Sequence, residues 1–326
     1  MEQLFSLAQQ NLLSPIILFF ALGFSAAIAK SDLNFPEAIA KGMSLYLLFA
    51  IGFKGGASLS GYGIDAQLIL SLLSGVILSA CLPFLAFVLL RIMTRMSAID
   101  AAAVAAHYGS ISIVTFVAAS SILEIQGITF DGYMVAVAAT MEAPAIISAL
   151  WLISRKSKES KGLDSELMRE ILLNGSIVLL IGSFFIGLLT GKEGLSEIAP
   201  FISAPFKGVL CLFLLDMGLV AGRGLVNAKG AVSARAVLFG IVMPLAGATA
   251  GLICAMIIGL SLGSTVLMMV LSASASYIAV PAAMRVAVPE ANPAIYLTLS
   301  LGVTFPFNLT VGIPLYVTIA TAVIGA

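Results

Sequence analysis

Two short polar interruptions hold most of the chemistry this sequence can offer. Ser110-Ile111-Ser112 and Ser274-Ala275-Ser276 lie in stretches, Ala101–Leu123 and Ser264–Met284, that contain no Asp, Glu, Lys or Arg. In hydrocarbon each unsatisfied polar group costs several kcal/mol, so these hydroxyls need partners. Serine favours helix starts, where its hydroxyl caps free amides, and a helix start carries about half a positive charge. Two such starts arriving from opposite membrane faces would hold a small oxyanion with amides and hydroxyls alone, without a lysine or arginine that binds too tightly to release it. The other possibility is that the serines bond to carbonyls one turn back inside unbroken helices.

A second set of residues offers cation chemistry. Glu142 lies deep in an apolar stretch two residues before Pro144, and intramembrane carboxylates are expensive enough to point to function. Within helices Pro144, Pro281 and Pro306 would free the carbonyls of Thr140, Tyr277 and Gly302, which are suitable cation ligands near a helix break. Thr304 and Asn308 add neutral oxygens, so Glu142, Thr304 and Asn308 are the cation candidates, with Glu142 and Asn308 foremost for Na⁺. Their alternative is a structural polar contact between helices. Lys54 and Asp216 are the other intramembrane charges, able to form an ion pair, take part in gating, or snorkel to the surfaces. His107, one turn before Ser110, is either proton-sensitive or a hydrogen-bonded interior residue.

The elements that must position these groups are membrane helices. With 60% hydrophobic and 10% charged residues among 326, the chain reads as an all-α integral membrane protein, with no nucleic-acid partner and no soluble domain. Apolar windows and turn signals give ten spans near 14–29, 43–59, 67–90, 101–123, 131–153, 172–190, 204–221, 236–259, 264–284 and 294–324,. The first could be a secretory signal ending at Ala27-Ile28-Ala29, but its leading segment has Glu2 and no Lys or Arg, which favours a span,. Cys81, Cys211 and Cys254 fall in apolar windows without pairing spacing and read as small buried hydrophobes. With both termini outside, all the Lys and Arg except Lys54, Lys192 and Lys207 face the cytoplasm, as the positive-inside rule requires.

The halves of the chain match. Gly52 and Gly56 correspond to Gly218 and Gly222, the two serine pairs to each other, and Pro144 to Pro306, at spacings of 166, 164 and 162 residues. Five spans per half invert the second half, so the expected architecture is a 5+5 inverted repeat with broken fourth and ninth helices. The divisions are residues 1–153, a basic cytoplasmic linker 154–171, and residues 172–326.

The segments Ser274-Ala275-Ser276-Tyr277-Ile278-Ala279-Val280-Pro281, Pro289-Glu290-Ala291-Asn292-Pro293 and Thr304-Phe305-Pro306-Phe307-Asn308 resemble the sodium-dependent bicarbonate symporter family, with weaker likeness along most of the chain. The resemblance implies a core (transport) domain moving against a scaffold (gate) domain as an elevator. It implies Na⁺-coupled bicarbonate uptake across a bacterial inner membrane, a homotrimer, and a PII-like regulatory protein docking on the cytoplasmic face. It implies bicarbonate binding at Gly109, Ser110, Ser112, Ser274 and Ser276, cation binding at Glu142 and Asn308, and no cofactor beyond the coupling ion. The family carries glycine where this chain has Ile111, aspartate where it has Glu142, and a small polar residue where it has Lys54. These departures leave open an H⁺- or Na⁺-coupled permease for a monocarboxylate. An anion channel would need a continuous polar path, whereas the polar residues cluster near mid-span. An intramembrane hydrolase built on His107 and Ser110 would need an orienting third group, and none is evident.

Overall fold

The computed structural model describes residues 13–60, 65–154, 169, 173, 175–227, 232–277, 280, 281, 284, 288 and 290–325. The linker expected at 154–171 lies almost entirely outside the described residues. In chain order the helices are α1 (Pro15–Ile28), α2 (Glu37–Leu59), α3 (Ala66–Met93), α4 (Ala98–Gly109), α5 (Ile113–Ile125), α6 (Met134–Thr140), α7 (Ala143–Ser154), α8 (Gly175–Ile202), α9 (Phe206–Asn227), α10 (Ala234–Ile258) and α11 (Leu262–Ala273). The last, α12 (Pro293–Ile324), alternates α and π geometry.

Among the described residues 8 helical stretches are long and apolar enough to cross a membrane, and Pro15–Ile28 and Leu262–Ala273 are shorter apolar helices. Sequence punctuation explains many of the helix starts. Asp65, Ser97 and Ser233 accept hydrogen bonds from Leu68 N, Asp100 N and Ala236 N at 2.8, 3.0 and 3.3 Å, each satisfying an amide that a helix start leaves free. At 28 residues, α3 runs about 42 Å at 1.5 Å per residue, longer than the roughly 30 Å hydrocarbon layer, which favours tilt. In α8 the chain kinks at Gly191, whose φ of 62° suits only a residue without a side chain,.

The helices fall into two groups by contact. In one, α2 packs along α8, and α1 along α9. Both pairs close on glycine: a side chain at Gly52 or Gly56 would run into the Leu180 or Phe184 carbonyl of α8, and one at Gly218 or Gly222 would meet the Phe20 or Phe24 carbonyl of α1. Small residues let backbones approach where lipid leaves no hydrophobic force to join them. In the other group α3 and α10 flank the interrupted helices: α3 packs on α4 and α7, α10 on α11 and on the middle of α12.

Candidate functional site

Gly109 is the last residue of α4 and Ile113 the first of α5; between them Ser110 and Ser112 adopt extended backbone, with φ,ψ of −90°, 149° and −102°, 106°. The matching stretch leaves α11 at Ala273, and Ser274 is likewise extended at −84°, 164°. Beyond it Val280, Pro281 and Met284 are helical again. All four serines are buried, none more than 4% exposed. They face protein rather than lipid.

The two interruptions touch. The Ser112 backbone N–H donates to Ser274 Oγ at 2.9 Å, and the Ser276 N–H donates to the His107 carbonyl at 2.8 Å. Ser274 Oγ in turn donates to the Leu271 carbonyl. Ser112 is the N-cap of α5, its hydroxyl accepting from Thr115 N at 3.3 Å and Thr115 Oγ1 at 2.9 Å. The amides of Ile113 and Val114 belong to the first turn and have no intrahelical acceptor, and both residues are buried. A buried helix start with spare amides is an anion-attracting point.

The cation candidates stand around this junction without touching one another. Glu142 Oε2 accepts from Ser110 Oγ at 2.8 Å. It occupies a gap between α6 and α7, so Pro144 is the second residue of a new helix rather than a kink within one, which its fixed φ and missing N–H favour. Ser79 of α3 splints that gap, donating to the Met141 carbonyl at 2.6 Å and accepting from Ala145 N at 3.1 Å. Asn308 donates to the Ala273 carbonyl at 2.8 Å and accepts from Tyr316 at 2.9 Å. Thr304 shares a 2.7 Å bond with Tyr108 and donates to the Gly240 carbonyl at 2.6 Å. Both Thr304 and Asn308 sit in π-helical turns on either side of Pro306, where the wider coil loosens the carbonyl ladder. Among the described residues no cluster of three His, Cys, Asp or Glu could hold a metal ion, so a cation here would depend on carbonyl, amide and hydroxyl oxygens beside the single carboxylate.

The remaining candidates lie elsewhere. Gly109 faces α3: a Cβ there would stand 2.4 Å from Pro83 Cγ and 2.7 Å from the Ser79 carbonyl, so its lack of a side chain serves helix approach. His107 is fully buried, its Nδ1 donating to the Ala103 carbonyl at 2.7 Å and its ring stacked 4.7 Å from Tyr296. The other ring nitrogen, Nε2, has no hydrogen-bond partner among the described residues. Asp216 is buried on α9 with Arg223 as its charge neighbour, and Lys54 on α2 lies over the Phe206 ring at 4.7 Å; neither reaches the junction.

Tyr277 is the residue that sequence reasoning missed. Its hydroxyl is buried close to Ser112 without a well-formed hydrogen bond among the described residues, while its ring packs edge-on to Phe305 at 5.2 Å. Two further ties join distant parts of the chain: Asp100 accepts from Asn292 N at 2.9 Å at the starts of α4 and α12, and Asp131 accepts from Ser264 Oγ at 2.6 Å just before α6 and within the first turn of α11.

Residues 15–321 match the Na⁺-dependent bicarbonate transporter superfamily. The chain belongs to that superfamily. No curated protein matches the chain. Membership of a transporter superfamily over this length makes the chain a multi-pass membrane transporter and not an enzyme, so a catalytic reading of the His107–Ser110 pair falls away.

Proposed function

We propose that this protein is a secondary transporter that couples the inward movement of Na⁺ to uptake of bicarbonate across a bacterial inner membrane, with both termini outside. The observation that carries this reading is the junction itself, where the Ser112 amide reaches Ser274 Oγ at 2.9 Å beside a buried helix start. Bicarbonate is small, planar and singly charged, and suits a cradle of amides and hydroxyls that offers no fixed cation. The Ile113 and Val114 amides and the hydroxyls of Ser110, Ser112, Ser274, Ser276 and Tyr277 would supply the donors, with Gly109 holding the approach of α4 to α3.

Coupling follows from one bond. Ser110 Oγ now donates its hydrogen bond to Glu142. A Na⁺ ion drawn to Glu142, and to the oxygens of Thr304 and Asn308, would compete for the carboxylate and free the Ser110 hydroxyl to turn toward an anion. Each ion then strengthens the other's site, as reciprocal linkage requires.

The matched glycine seams and the Asp100 and Asp131 ties support a 5+5 inverted repeat divided at residues 154–171. In this reading α1, α2, α8 and α9 form the scaffold, and the interrupted helices with α3 and α10 form a core that moves as an elevator. The scaffold would also supply the homotrimer contact, and a PII-like protein would dock on the cytoplasmic face.

The test is uptake of labelled bicarbonate into proteoliposomes. Uptake is expected with an inward Na⁺ gradient and to persist in excess acetate, pyruvate or sulfate. Flux that ignores the gradient would remove the coupling, and competition by pyruvate would move the substrate to a monocarboxylate.

A further inference from the structure

Between α2, α5 and the start of α9 lies a cavity of about 210 Å³ that the anion junction does not use. At about 30 Å³ per water it has room for a small hydrated ion. Its walls include Lys54 and Ser58 from α2, Phe116, Ser121 and Glu124 from α5, and Phe206 from α9. α2 and α9 belong to the group paired through glycine, and α5 carries the serine junction at its start, so the cavity spans the boundary between the two groups.

Lys54 is half-buried and lies over the Phe206 ring, 4.7 Å from its centre. A ring face holds an ammonium without neutralising it. Glu124 and Lys207 both lie near enough to act on that charge, in opposite directions. The cavity therefore presents a positive charge that is partly dehydrated and only partly countered, a condition that draws an anion. Its inner wall is Phe116, 1% exposed and four residues beyond Ser112, which is about 6 Å along the helix axis.

We propose that this cavity is an outer vestibule for the transported anion. Lys54 captures the anion, Glu124 keeps that capture weak enough to release it, and the Phe116 ring separates the vestibule from the serine junction one turn below. The inference rests on the anion-uptake reading and its orientation, and adds a specificity residue on the scaffold side that the moving side lacks.

Two measurements test it. In proteoliposomes, Lys54→Gln is expected to raise the KM for bicarbonate on the order of tenfold with kcat nearly unchanged, as for loss of a steering charge. Lys54→Arg, which keeps the charge, should stay within about threefold of the parent. An unchanged KM in Lys54→Gln, or a fall in kcat alone, would overturn the role. Independently, Ser58→Cys in a background with Cys81, Cys211 and Cys254 replaced by alanine is labelled from outside with anionic or cationic methanethiosulfonate reagents. The anionic reagent should react faster, and Lys54→Gln should abolish that preference because the charges of Glu124 and Lys207 then oppose each other. Indifference to reagent charge, in a protein that still moves bicarbonate, overturns the vestibule and leaves the transport reading standing. Charge-selective labelling in a protein that moves no bicarbonate keeps the vestibule and overturns the transport reading.

Discussion

Ser274 holds two backbone groups at once, accepting from the Ser112 amide and donating to the Leu271 carbonyl. Ser274→Ala orphans the Ser112 amide, at roughly 1–3 kcal/mol for a buried donor, while the Leu271 carbonyl keeps the Ser274 N–H at 3.3 Å; it is expected to lower bicarbonate affinity at least about tenfold and to depress the thermal unfolding temperature. Tyr277→Phe removes a hydroxyl that has no well-formed hydrogen bond among the described residues. Unfolding should therefore be unchanged, while the KM for bicarbonate rises about fivefold, in the range of one lost hydrogen bond; a parental KM would dismiss Tyr277 as a donor. For Glu142→Gln the expected outcome is weakened Na⁺ dependence of uptake, read from a Na⁺ titration. The serines were legible because hydroxyls in a long uncharged window demand a reason. Tyr277 was not, since an aromatic in such a window reads as packing, and only its place directly after Ser276 could have marked it. Gly109 was legible as special, but its reason, the Pro83 ring pressed against it, lies on a helix that sequence spacing does not bring near.

At the scale of elements, hydropathy reveals where helices run but not where their coil changes. Pro144 marks the place, but the sequence suggests a proline within a helix, whereas its effect is to restart one beyond Glu142. The two π turns of α12 had only Pro306 as a sign, because widening a turn alters no residue's polarity. Ser79, splinting the Met141–Ala145 gap, was invisible among the many serines of apolar helices. Ser79→Ala should loosen that gap and destabilise the fold by about 1–3 kcal/mol, measured by thermal unfolding in detergent. Gly109→Ala should do comparable damage by overpacking, about 1–3 kcal/mol, because neither a proline ring nor a carbonyl can give way easily.

The whole molecule is read best at the boundary between its two helix groups. A Cβ at Gly132 would lie 2.4 Å from the Ser58 Cβ of α2, and one at Gly55 would lie 2.6 Å from Val135 Cγ2. If the groups slide past each other, Gly132→Val should jam them, cutting uptake more than about tenfold while isothermal titration still detects bicarbonate binding, as expected when a conformational step limits turnover. Equal losses of binding and uptake would instead mean local misfolding. The grouping was only partly legible, since the matched glycines advertised the tight seams without saying which helix lies across each one. The crossed ties at the centre, Ser112 to Ser274 and Ser276 to His107, have a consequence for ancestry. If the chain is the inverted repeat proposed above, each half borrows from the other the atoms that close its own gap, and residues 1–153 expressed alone would be left with a wound that only the counterpart fragment can dress. On that proposal a forebear one half as long would have needed to enter the membrane both ways up and pair with itself, and co-expressing the two fragments would re-enact that partnership.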